Sequence, residues 1–347
     1  MSRMRVSAFV GTLVLAPGGA VAEDGLAGAS GLSYLTASGP KQHPVLPFTY
    51  ALIALMLAIV AAIAVLVVLG VIRRRAPQRE PAAIPVVPPG PGLSWIYIGI
   101  ALTVPALVGI AAWTYAVLAG ISGPPRRPSL TIHVTGRQWW WELGYVADSV
   151  DRDFTTANEM HVPVGEPVRI ELDTADVIHS FWVPALSGKM DTIPGQHNVT
   201  WIEADKAGVY RGQCTEYCGL QHAHMGLMVV AEPPDAFKSW WDHQLEAPAA
   251  ASGAVPAEVL QGEAAFIESC GACHAIRGTP AGGRLGPDLS HLMLRRTIAG
   301  ASLPNTIGYL SGWISSPQHF KPGNYMPTLA LSGPELDRIR TFLETLK

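Results

Sequence analysis

Two long stretches of this chain carry no ionised side chain. One runs from Pro44 to Ile72 and is almost wholly apolar from Thr49 onward; the other runs from Leu93 to Ser122. A membrane-crossing helix needs about 20 apolar residues, and each stretch supplies them. Together they predict a transmembrane hairpin, with helices at about 49–72 and 93–121. A buried helical hairpin of a soluble core is the competing reading, and two spans of this length without a charge count against it. Charged residues make up 15% of the 347, against about 25% in soluble proteins. The deficit lies in the first third of the chain.

Orientation follows from the flanking charges. Arg73, Arg74, Arg75 and Arg79 lie between the spans and belong on the cytoplasmic side. Arg126 and Arg127 compete from beyond the second span. Residues 1–22, however, read as a cleaved secretory signal, with Arg3 and Arg5, an apolar Val6–Leu15 and a small-residue Ala20-Val21-Ala22 site. Both termini are therefore expected outside. The resulting division is a signal at 1–22, an N-terminal segment and hairpin at 23–124, an exported domain at 125–235, a linker at 236–256 and a final domain at 257–347. The Ala/Pro/Gly-rich part of the linker is 247–256. A net charge of −3 offers no basic footprint for nucleic acid.

In the exported part, short runs rich in β-branched and aromatic residues alternate with turn residues. Leu130–Val134, Gln138–Tyr145, Val168–Leu172, Asn198–Ile202, Gly208–Arg211 and Met228–Ala231 predict an all-β sandwich or barrel. Beyond the linker, Glu258–Ser269, Thr306–Ser315 and Pro334–Leu346 have helical patterns, the last starting at a proline after Ser332-Gly333.

All four cysteines fall in metal-site patterns. Cys214 and Cys218 open a loop that continues through His222 to Met225. Soft thiolate and thioether beside imidazole select copper or another soft metal. One Cys, one His and one Met would suit a mononuclear blue-copper site; the additional cysteine argues for two coppers sharing two thiolates. A second histidine must come from elsewhere, and His179, at the end of a predicted strand, is the best candidate. His224 competes with His222, while His133, His161 and His197 lack any partner pattern. The second pair, Cys270-Gly-Ala-Cys273-His274, is a c-type haem attachment pattern. A dithiol redox site would need no histidine, and a zinc site would need two more ligands. A methionine commonly completes such an iron site. Met326, in a Pro/Gly-constrained loop, is preferred to Met293, which follows the haem motif too closely.

On these residues the chain resembles subunit II of the haem–copper cytochrome c oxidases across 44–231. The matching pieces are Gly136–Glu142, His179–Pro184, Lys189–Gly195 and the Cys214–Met225 loop. Residues 257–347, with Gly286-Pro287-Asp288-Leu289, resemble a class I cytochrome c, as in the fused caa-type subunit II. The resemblance implies a multi-domain membrane protein with a two-helix transmembrane hairpin, an all-β cupredoxin-like Greek-key barrel and an all-α cytochrome c domain. It implies a dinuclear copper centre, CuA, with Cys214 and Cys218 bridging, His179 and His222 terminal, Met225 a weak thioether ligand and Glu216 a backbone-carbonyl ligand. Glu216 would also reach a magnesium ion shared with subunit I, and Lys189 and Asp191 match a region at that boundary. One covalent haem c would be held by Cys270 and Cys273, with His274 and Met326 as axial ligands. Trp139 matches an aromatic that helps electrons in from cytochrome c.

The implied activity is electron input to an inner-membrane terminal oxidase. Electrons would pass from a cytochrome c or its reductase, through haem c and CuA, to a haem of subunit I. Oxygen reduction and proton pumping would occur there, with subunit III a further partner. The alternatives are the electron-transfer subunit of a nitric oxide reductase-type haem–copper enzyme and a membrane copper-handling protein.

Overall fold

The computed structural model describes residues 29–73, 92–147, 149–248 and 255–347. The expected signal peptide, Arg74, Arg75, Arg79 and most of the 247–256 stretch lie outside the described residues.

Two apolar helices, α1 (Val45–Arg73) and α2 (Gly92–Ile121), form the N-terminal hairpin. Phe48 meets Trp113 edge to face at 5.2 Å between them. Most of their apolar side chains are uncovered, Leu66, Val71, Leu102 and Val108 among them. An apolar surface of this extent calls for lipid or for other helices. The hairpin is tied to the exported part at both ends. Lys41, just before α1, donates to the Trp201 carbonyl, and the Trp201 indole donates to the Ile121 carbonyl at the end of α2. Gly39 has to be glycine, because a Cβ there would stand 2.0 Å from the Glu203 carbonyl oxygen.

The β domain is built from strands β1 (Ala29–Ser30), β2 (Leu130–Arg137), β3 (Trp140–Val146), β4 (Phe154–Ala157), β5 (Glu159–Pro163), β6 (Val168–Thr174), β7 (His179–Phe181), β8 (Met190–Thr192), β9 (Asn198–Ile202), β10 (Gly208–Gln213) and β11 (Gly226–Glu232). A five-stranded sheet runs β4-β3-β2-β6-β9, and a four-stranded sheet runs β1-β10-β11-β5. Strand β2 alternates buried and half-buried residues along its length, as a sheet with one covered face requires. Ile132, Val134, Trp141, Leu143, Ile170 and Leu172 from the first sheet share a core with Met160, Leu227 and Val229 from the second. This is the cupredoxin-like architecture in its sandwich form. The paired β7 and β8 stand apart from both sheets, with Ser180 opposite Asp191, and carry His179.

The stretch expected as the start of the linker is a helix, α3 (Pro234–Leu245). Its physical reason is aromatic burial. Trp241 packs against Phe154 and Tyr145 at 5.0 and 5.4 Å, and Trp240 stacks on the His161 ring at 4.2 Å. Replacing Trp241 with alanine should cost about 3 kcal/mol, by lost burial and the cavity left behind. A lower denaturation midpoint of the purified chain would report it; an unchanged midpoint would mean that α3 is not part of the core.

The C-terminal module contains α4 (Ala257–Ser269), a short ribbon of β12 (Thr297–Ile298) with β13 (Leu303–Pro304), α5 (Ile307–Ser315), α6 (Pro317–Phe320) and α7 (Gly333–Leu343). Helix α7 begins with a reciprocal cap between Ser332 and Glu335. Helices α4 and α7 cross at Gly262, where a Cβ would stand 2.2 Å from the Arg338 carbonyl oxygen. Phe266 and Phe342 meet there at 5.7 Å, within the module's own core.

Candidate metal and haem sites

The first site lies where β7 meets the loop between β10 and β11. One donor atom from each of His179, Cys214 and Cys218 falls within 4.8 Å of the others, and all three residues are buried. The Cys214 and Cys218 sulfurs are 3.8 Å apart. His222 Nδ1 is 3.5 Å and Met225 Sδ 3.9 Å from the Cys218 sulfur, and the Glu216 carbonyl oxygen is 3.3 Å from the Cys214 sulfur. The loop thus gathers every residue that the sequence pattern selects, with β7 adding its histidine. His224 turns away, with Nδ1 2.7 Å from Gln221 Oε1. The remaining histidines of this domain face carboxylates instead: His161 those of Glu159 and Glu232, His133 that of Glu171, and His197 that of Asp173.

The loop is held by its backbone. The Cys214 N–H donates to the Met225 carbonyl at 2.9 Å, and the Thr215 N–H donates to Ser180. His179 Nε2 donates to Asp176 Oδ1 at 2.7 Å, which fixes the ring. Its Nδ1 is buried without a hydrogen-bond partner. A buried ring nitrogen left bare beside two thiols is what a soft metal would satisfy. Gly136 sits under this ring, and a Cβ there would meet it at 2.7 Å. The hydrogen bond from Cys218 holds the Cys214 thiol well below the usual range, and the same contact pushes Cys218 up. A bound cation would favour the deprotonated form of both thiols. The residues fit a copper centre of the kind the resemblance implies.

Asp176 also accepts from the Gln138 and Val177 N–H groups. Truncating it to alanine should free the His179 ring and weaken copper binding about 10- to 100-fold. Competition with a chelator of known affinity measures this, and an unchanged competition curve would count against Asp176 as the group that aims His179. Glu216 has its carboxylate at the surface, 3.3 Å from Lys189 Nζ, which also holds Asp191 at 2.8 Å.

The second site is a cavity of about 390 Å³ in the C-terminal module, lined by Phe266, Cys270, Cys273, His274, Leu310 and Met326 among others. The Cys270 and Cys273 side chains follow directly from the end of α4. His274 Nδ1 donates to the Pro287 carbonyl at 2.8 Å, which leaves Nε2 as the nitrogen free to bind iron. Gly286 is pressed on the same ring, where a Cβ would come within 2.5 Å. Met293 instead lies in a short 3-10 turn, packed against the module core. An apolar slot with two thiols and an oriented imidazole fits a c-type haem.

The two sites adjoin, which the sequence does not reveal. Gln138, Trp139 and Trp140 of the β domain line the same cavity as Cys273 and Met326. The Trp139 indole and the Gln138 amide both donate to the Cys218 carbonyl, at 2.9 and 2.7 Å. From the C-terminal module, Tyr325 stacks over Trp139 at 5.8 Å, and its hydroxyl donates to Gln138 Oε1 at 2.7 Å. Trp139 is buried, at 6% exposure.

The family model of the cytochrome c oxidase subunit II periplasmic domain matches residues 147–232, and that of cytochrome c matches residues 259–347. Cytochrome c oxidase subunit 2 of Alkalihalophilus pseudofirmus is 38% identical over 261 residues, 74% of this chain and 72% of the relative. The same subunit of Bacillus sp. (strain PS3) is 35% identical over 230 residues, 63% of each chain. Among solved structures, the periplasmic domain of subunit II of cytochrome oxidase of Bradyrhizobium japonicum is 36% identical. That match covers 34% of this chain and 95% of the other, with a TM-score of 0.32.

Proposed function

The chain belongs to the cytochrome c oxidase subunit 2 family, and from that membership we propose that it is the electron-input subunit of an aerobic terminal oxidase. The reading rests on one observation: the thiol–imidazole cluster of Cys214, Cys218 and His179 and the Cys270–His274 cavity meet across Trp139. When bound, a haem c and a dinuclear CuA centre would supply one-electron chemistry at these two places.

The residues of this chain have distinct parts in that function. His274 and Met326 would hold the iron, and Cys270 and Cys273 would fix the haem covalently. His179, Cys214, Cys218, His222 and Met225 would hold copper, with the Glu216 carbonyl beside Cys214. Gln138 and Trp139 bind the Cys218 backbone and also line the cavity of the second site, so they would carry the coupling between the two. The Glu216 carboxylate, at the surface beside Lys189, would reach a magnesium ion shared with subunit I. The hairpin would anchor the chain in the membrane against subunit I, where oxygen is reduced and protons are pumped, with subunit III alongside. The β domain and the cytochrome module would face the periplasm. A soluble cytochrome c or a reductase would serve as donor.

The test is copper and haem content, with an optical spectrum, on the purified exported fragment 125–347. Two coppers and one covalent haem per chain, with a mixed-valence thiolate–copper absorption, are expected. Haem without copper would remove the chain from the copper-bearing oxidases. A single copper with one blue band would overturn the bridging role of the cysteines.

A further inference from the structure

Lys321 is a cation buried between two domains, at the edge of the second cavity, and it has no part in either proposed ligand set. It is 3% exposed, and its ammonium donates to three backbone carbonyls: Trp139 at 2.9 Å and His224 at 2.9 Å in the β domain, and Ala299 at 3.0 Å in the C-terminal module. Three acceptors are the full complement for the three N–H bonds of an ammonium. Two of the three flank the copper loop: Trp139 is bonded to Cys218, and His224 stands beside Met225.

The acceptor on the module side is presented by an unusual backbone. Ala299, Gly300 and Ala301 all have positive φ, at 55, 71 and 57°. Two of them are alanines, for which the left-handed region is costly, so the surrounding contacts must hold them there. The segment aims Ala299 O at Lys321 and Gly300 O at the Gly226 N–H, 2.9 Å away, directly after Met225. Space is closed around it: a Cβ on Gly300 would stand 2.9 Å from both Lys321 Nζ and the Trp139 oxygen. Other contacts cross the same boundary, from Gln221 to the Pro322 carbonyl at 2.6 Å and from the Arg296 N–H to Glu159 at 2.8 Å. Ser302 Oγ also donates to the His224 carbonyl, at 3.1 Å, but Lys321 alone among these groups joins that carbonyl to the one of Trp139.

We propose that Lys321, received by the left-handed Ala299–Ala301 segment, is a positioning residue that locks the haem module onto the copper loop and keeps Tyr325 seated on Trp139. The proposal rests on the electron-input reading and adds to it a fixed docking geometry and the residue that sets it. A lysine is suited to this place because its charge strengthens each bond to a carbonyl. Burying that charge is also expensive, and burial pushes the Lys321 ammonium down to about 7. Losing one of the three carbonyls would leave the buried charge less compensated, which is destabilising.

In the redox step that the lock would serve, the group held by Cys270, Cys273 and His274 would, when bound, give up one electron to the group held by Cys214, Cys218 and His179, with no proton or bond exchanged. The experiment uses the assembled oxidase carrying Lys321→Met, and separately Gly300→Ala, which crowds the same contact while the lysine itself is kept. Three quantities are read: amide hydrogen exchange at Gly226, the rate of haem-to-copper electron transfer after photochemical reduction, and steady-state oxidation of a cytochrome c donor. Losing a buried charged hydrogen bond of this kind should quicken exchange at Gly226 about tenfold or more. Internal transfer should slow by about tenfold or more and kcat should fall, while KM for the donor and both optical spectra stay as in the wild type. Unchanged exchange at Gly226 in both variants would overturn the proposal. Quickened exchange with an unaltered transfer rate would overturn it as well, because Lys321 would then be only structural. Wild-type protein lacking the copper or haem spectrum would instead sink the electron-input reading, which separates the two failures.

Discussion

Replacing Cys218 with serine should abolish the thiolate–copper absorption and reduce oxidase turnover by at least about a hundredfold. The lower bound comes from the cost of removing groups that merely hydrogen-bond to a ligand, about 10- to 100-fold in affinity or activity. Cys218 is nearer the centre than any of these. Its sulfur lies within 4 Å of the Cys214 sulfur, His222 Nδ1 and Met225 Sδ at once. A hydroxyl would be a harder donor, poorly matched to a soft metal, and would not bridge in the thiolate's place. The haem spectrum should remain, since the Cys270–His274 cavity has its own ligands. Copper content and absorption equal to the wild type would remove Cys218 from the ligand set.

The double change of Cys270 and Cys273 to alanine should leave no haem on the chain after denaturation, as read by haem staining of a denaturing gel. It should also make residues 257–347 sensitive to protease. The cavity there measures about 390 Å³. At ~24 cal/mol per Å³, an empty space of that size would cost on the order of 9 kcal/mol. The cavity is partly open, so this is an upper bound, but it is comparable with the whole stability of a small domain. The module's own core, centred on Phe266, Phe342 and Leu310, is built around the space rather than across it. A variant that still retained haem covalently would overturn the attachment residues. One that lost haem yet resisted protease would show that the module stands without its cofactor.

Local chemistry made much of this molecule readable in advance. The two helices announced themselves by the lack of charge, and strands such as Asn198–Ile202 by β-branched runs between turns. The loop from Cys214 to Met225 was legible because its donors lie close in sequence, so that one tight turn gathers them. His179 comes from 35 residues earlier, and its place at the end of a predicted strand singled it out before the family pattern did; the structure brings it against the two thiols through the pairing of β7 with β8. The strands at Phe154–Ala157 and Glu159–Pro163 were not foreseen, being short and separated by a single residue, Asn158, at positive φ. Helix α3 was hidden for another reason. Its sequence is polar on average, and only the docking of Trp240 and Trp241 onto Tyr145, Phe154 and His161 shows what holds it. The seat of Lys321 was beyond reach altogether, because its three acceptors are carbonyls, which every residue has. Backbone acceptors leave no trace in composition or spacing.

Tyr325 lying over Trp139 has a consequence for how the reaction responds to salt. An aromatic that an arriving donor could touch would make its step second-order, governed by charge steering and slowed as ionic strength rises. Here that ring is already covered by a residue of the same chain. On the proposed route through the haem module, transfer onto the copper loop would be first-order, and its rate should be flat across ionic strength. Any salt dependence of turnover would belong wholly to the earlier encounter, at the outer face of the haem module.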